Sequence, residues 1–129
     1  MWLQILFWLY LVNTVLLILH EMDSAYWKEW ELFRLPGGIV GFLLLHFPLY
    51  VIGLYGLVLV WQGQSAGFIL SLVISAAGIF AFSIHTYFLH KGRREFDVPI
   101  SKLILWALLV ISLLQLVLTV SYLLTGKTI

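Results

Sequence analysis

The residues most able to do chemistry in this sequence are four histidines: His20, His46, His85 and His90. The first opens the tetrapeptide His20-Glu21-Met22-Asp23, and Glu29 follows nine residues after it. Imidazole titrates near neutral pH and ligates divalent metals in its neutral form. Three imidazoles with a carboxylate are a ligand set that suits zinc or iron. The expected site is therefore a divalent metal held by His20, Asp23, His46 and His85. Glu21 and Glu29 are the candidate catalytic carboxylates, as base or as an extra ligand. Other chemistries lack their residues. Cysteine is absent, which removes disulfides, thiolate metal sites and a cysteine nucleophile. HE-x-x-H fails because position 24 is serine, and His85 and His90 are too far apart for a hydroxylase-type histidine box. No glycine-rich phosphate loop or nucleophile elbow is present.

The elements that must position these residues follow from composition. Hydrophobic residues make up 63% of the 129-residue chain and charged residues only 10%, with mean hydropathy +1.07. Seven basic and six acidic side chains cannot coat a water-soluble domain of this size. A net charge of +1 offers no basic stripe for nucleic acid, so none is expected as a partner. Four segments reach the roughly 20 apolar residues that a spanning helix needs: residues 2–22, 37–61, 67–89 and 100–124. The N-terminal one has neither a basic n-region nor a small-x-small cleavage site, and reads as a retained helix. Leu35-Pro36-Gly37-Gly38 and the polar turn Gln62-Gly63-Gln64-Ser65 separate the first three segments, while Pro99 suits the first turn of the fourth. The fold expected is all-α: one polytopic membrane domain, a four-transmembrane-helix bundle. A short amphipathic interfacial helix over about residues 24–34 is expected after the first span, because Tyr26, Trp30 and Phe33 recur at helical spacing among charges.

The charges partition sharply. Apart from Lys127, all lie in or at the edges of the connections between spans one and two and between spans three and four, which share one face of the bilayer. The positive-inside rule makes that face cytoplasmic and both termini external, in a multi-pass protein of the cell membrane. All four histidines fall in the same half of the membrane, and His46 lies nine residues into its span, roughly 13 Å deep. Ser71, Ser75, Gly78, Phe82 and His85 recur every three or four residues, a small and polar stripe that turns His85 toward the bundle. Asn13 and His20 share a face of span one. His46, Tyr50 and Gly53 share a face of span two, and Ser112, Gln115 and Thr119 one of span four. His90 lies far round the helix from His85 and is expected at the interface. Gly53 and Gly56 are candidates for a lipid-exposed contact with a partner protein.

Through His20-Glu21-Met22-Asp23, then Glu29-Trp30, then His46-Phe47-Pro48, the sequence resembles a small family of uncharacterised bacterial integral membrane proteins with an HE-x-D…EW…H-x-P pattern. More loosely it is similar to the HXXEE membrane family, departing from it with Asp23 and Ser24 at the paired acidic places. The resemblance implies a multi-span protein and carries no assigned activity. Ionisable residues inside a membrane usually face protein and mark function. The functional expectation is thus a polar His/Asp pocket in the cytoplasmic half of the bilayer, serving a metal-dependent intramembrane hydrolase that acts on lipid. The alternatives are an accessory or structural subunit, a metal- or proton-handling module, and a haem-binding subunit. Its partners would be the bilayer, with a lipid substrate, a protein partner or further copies of the chain.

Overall fold

The computed structural model describes residues 1–126, so Lys127 lies outside the described residues. It contains α1 (Trp2–Tyr26), α2 (Glu29–Leu32), α3 (Gly38–Trp61), α4 (Ser65–His90) and α5 (Pro99–Thr125), with no strand among the described residues. The four longer helices are each long and apolar enough to cross a membrane. Only 22–33% of each apolar window is buried inside the protein. The remaining apolar surface needs a hydrocarbon solvent, and the architecture is that of a multi-pass membrane protein.

The α1 and α4 helices form the central pair, each touching α3 and α5, while α3 and α5 do not meet. Small residues set the close approaches. A Cβ on Gly56 would meet the Tyr10 hydroxyl and the Leu70 side chain, and one on Gly78 would meet Ser112. Gly53 and Gly56 are buried within the chain, in the seam where α3 meets α1 and α4. The lipid-exposed small-residue face expected for a partner is therefore spent on packing inside the bundle. Tyr10 reinforces this seam by donating its hydroxyl to the Gly53 carbonyl at 2.8 Å.

A polar network crosses the middle of the bundle. Asn13 Nδ2 donates to Ser112 Oγ at 3.0 Å and to Gln115 Oε1 at 2.8 Å. Gln115 Nε2 reaches Ser71 Oγ at 2.9 Å, and Ser71 and Thr119 hydroxyls bond each other at 2.8 Å. Buried polar groups in hydrocarbon find partners because no water is there to satisfy them. The network ties α1, α4 and α5 together and leaves its members committed to one another.

Two boundaries differ from the expected ones. First, α1 runs on through Asp23 to Tyr26, since nothing in Glu21–Ala25 breaks the backbone ladder. Second, the expected interfacial helix over 24–34 is reduced to the single turn α2. Lys28 adopts φ 52°, in the left-handed region, which breaks the helix and turns the chain back beneath the bundle. Trp30 then packs on Phe42 with ring centroids 5.6 Å apart, and Phe33 packs on Phe88 at the same distance. Burial of those two rings outweighs the straight amphipathic helix that their spacing favours. Tyr26 alone stays exposed, at 76%.

Candidate metal centre

The reversal at Lys28 has a chemical consequence: it carries Glu29 back toward the end of α1 and the end of α4. His20, Glu29 and His85 each offer one donor atom, and the three atoms lie within 4.8 Å of one another. His20 projects from the buried face of α1, one heptad beyond Asn13, and is 2% exposed. His85 ends the small and polar stripe of α4 and is 1% exposed. The two rings meet edge to face, centroids 4.8 Å apart.

The donors are poised rather than satisfied. Glu29 Oε1 is 3.1 Å from His85 Nε2, yet the contact lacks the directed geometry of a hydrogen bond. His20 Nδ1 and both ring nitrogens of His85 are buried without a hydrogen-bond partner. Buried polar atoms are nearly always paired, so three orphaned imidazole nitrogens on two histidines beside one carboxylate ask for an explanation. Burial pushes the Glu29 carboxyl up, but the His85 ring against it, with Ser24 and His20 nearby, outweighs this and holds it below the ordinary glutamate range. The carboxylate is thereby kept anionic, the form that ligates metal.

The fit of a metal can be judged from bond lengths. Donors on a tetrahedral ion at about 2.0–2.1 Å stand about 3.3 Å apart. The Glu29–His85 contact, at 3.1 Å, is already near that separation, and the most widely spaced donors, within 4.8 Å, must close by up to about 1.5 Å. The group could hold a metal ion, with one carboxylate and two imidazoles as donors. Three protein ligands leave a tetrahedral ion one open position, the arrangement of catalytic rather than structural zinc sites.

Two of the four expected ligands stand outside this group. Asp23 Oδ1 accepts a hydrogen bond at 3.1 Å from Nε1 of Trp27, the residue that caps the end of α1. It braces the end of α1, and Glu29 supplies the carboxylate instead because the chain reverses between them. His46 is half-turned to another partner: its Nε2 is 2.8 Å from Glu21 Oε2. His46 Nδ1 lies 2.7 Å from the Phe42 carbonyl and can only donate to it. The opposite nitrogen therefore meets Glu21 with one proton shared between them. Of the two expected catalytic carboxylates, Glu29 joins the ligand cluster and Glu21 forms this separate pair. His90 is exposed at the end of α4, in keeping with an interfacial place.

Phe96 is the residue that motif reading passed over. It lies in the loop between α4 and α5, among charged neighbours, yet is 1% exposed. Its ring covers both histidines, 4.0 Å from His85 and 5.7 Å from His20. The backbone there has φ 67°, a region that bulky side chains rarely adopt. A single aromatic within Arg94-Glu95-Phe96-Asp97 was the signal available in the sequence.

No curated protein and no solved structure matches this chain. A family model does, over residues 6–122, a stretch that includes every member of the His20–Glu29–His85 cluster as well as Glu21, His46 and Phe96. The chain belongs to that family, described as a family of unknown function (DUF6713).

Proposed function

We propose that this is a membrane metalloprotein in which His20, Glu29 and His85 hold one divalent ion, zinc or iron, and that the centre hydrolyses a lipid-borne bond. The observation that carries the reading is the convergence of three donors from α1, α2 and α4, with their buried ring nitrogens unpartnered. A bound ion would supply Lewis acidity and a water of lowered pKa. The chain's own residues do the rest. Phe96 shields the histidine pair from bulk water, and the Glu21–His46 pair keeps a proton close by, since Glu21 follows His20 directly. On this reading the charged end of the bundle faces the cytoplasm, because Lys28, Arg34, Lys91, Arg93, Arg94 and Lys102 all lie there.

Metal analysis of the protein purified in detergent tests it. About one zinc or iron per chain is expected, lost on His20→Ala or His85→Ala and weakened about tenfold or more by Glu29→Gln. His46→Ala is expected to keep the metal. An absence of stoichiometric metal, or equal metal in the His85→Ala protein, rejects the centre.

A further inference from the structure

The Glu21–His46 pair is not committed to the metal cluster, and it closes the polar end of a cavity. This cavity, of about 170 Å³, lies between α1, α3 and α4 and is lined by Leu17, Leu49, Gly53, Leu70, Ile74 and Ala77. It is comparable to the apolar cavity of about 150 Å³ that takes up benzene in another protein. It extends from the level of Glu21 to that of Thr14, seven residues along α1, or about 10 Å. Leu49, Ile52 and Val73 at its rim are 52%, 51% and 55% exposed, on faces of spanning helices. The mouth therefore opens sideways, toward the acyl chains of the bilayer.

Both ends of the cavity constrain its occupant. Between Thr14 at one end and Glu21 at the other its lining is apolar, so water gains nothing there and a hydrocarbon chain loses nothing on leaving lipid. Its inner end presents the Glu21 carboxyl and Tyr50. No lysine or arginine lines it, and His46 is already engaged by Glu21 and the Phe42 carbonyl. A phosphate or carboxylate headgroup would bring its oxygens against the Glu21 carboxyl with no free cation to balance them. A hydroxyl would donate to it.

We propose that this cavity holds the headgroup-proximal part of the hydrocarbon chain of an uncharged, hydroxyl-headed membrane lipid, whose hydroxyl donates to Glu21 at the cavity's polar end. The proposal rests on the metalloprotein reading only for the fate of that lipid, not for its binding. Glu21 directly follows His20 in α1, so a lipid seated there has its polar group beside the metal cluster.

The test uses the full chain in vesicles of phosphatidylcholine and phosphatidylglycerol. A monoacylglycerol with a diazirine in its chain is compared with the same chain carrying a phosphate monoester, and the crosslinked peptides are identified by mass spectrometry. The monoacylglycerol is expected to label the cavity faces of α3 and α4 about tenfold more than the phosphate probe. Ala77→Phe, which fills the cavity, is expected to abolish that labelling, and Glu21→Leu to reduce it about fivefold to tenfold. Equal labelling by both probes, no labelling on these faces, or unchanged labelling in Glu21→Leu overturns the proposal. If Ala77→Phe fails to reach the membrane, Glu21→Leu decides alone. Metal content is measured on the same samples. Selective labelling in a metal-free protein sinks the metal centre and keeps the lipid site, while a metal-loaded protein without labelling does the reverse.

Discussion

A single aromatic side chain decides how accessible the histidine cluster is. Phe96 lies over His20 and His85 with a left-handed backbone, a conformation that costs about 1–2 kcal/mol in a non-glycine residue. Such a cost persists only where the surroundings over-determine it, and here the compensation is the burial of the ring against two imidazoles. Phe96→Ala removes the cover and keeps the loop. The expected outcome is metal loss to EDTA about tenfold faster than in the parent, equal to about 1.4 kcal/mol in the barrier. Stopped-flow chelation of the loaded protein measures it, and an unchanged rate would show that Phe96 covers nothing that matters. Glu29 illustrates the opposite situation at the same scale. Its burial disfavours the charge, and His85, Ser24 and His20 together outweigh that burial.

Among the elements, α1, α4 and α5 are held by the Asn13–Ser112–Gln115–Ser71 network as much as by apolar contact. In a membrane the hydrophobic effect does not drive helices together, so such hydrogen bonds and close small-residue contacts carry the association. Asn13→Leu is expected to lower stability by about 1 kcal/mol through the polar groups it orphans. Gly78→Ala, whose new methyl would press on Ser112 and stand 3.3 Å from Asn13 Oδ1, is expected to cost about 1–3 kcal/mol. Denaturant titration in mixed micelles, followed by circular dichroism, reads both. A neutral Gly78→Ala would mean that α4 and α5 are further apart than described. The α2 turn matters for a different reason: it adds little apolar burial of its own, and its contribution is to deliver Glu29.

Viewed whole, the protein is strongly asymmetric along its helix axes. His20, Glu21, Glu29, His46, His85 and Phe96 all lie toward the end that carries the charged loops. With four spanning helices among the described residues, Trp2 at the start of α1 and Thr125 at the end of α5 lie at the other end. The positive-inside rule predicts that they face away from the cytoplasm. Fusions at either terminus to a reporter active only outside the cytoplasm are expected to be active, and fusions to a cytoplasm-only reporter silent. The reverse pattern would turn the molecule over and place the His20–Glu29–His85 cluster at the opposite membrane surface.

How much of this was legible without the fold depends on the range of the interaction. Four apolar runs, their breaks at Pro36-Gly37-Gly38 and Gln62–Ser65, the shared faces of Asn13 with His20 and of Ser112 with Gln115, and the inward turn of the Ser71–His85 stripe were all carried by the sequence alone. Local hydropathy and the helical repeat fix those features, whatever the neighbours do. The level of the histidines was legible too, since it follows from counting residues from a span's end. What only the tertiary structure decided was which of those polar groups meet. Asp23 and His46 were as plausible on spacing as Glu29, but partners beyond one helix turn are chosen by interhelical distance and by where the chain reverses. The left-handed turn at Lys28 exists because Trp30 and Phe33 gain more by packing under the bundle than along its surface. That long-range preference put Glu29 between His20 and His85, left Glu21 to His46, and set a lipid-facing cavity beside them.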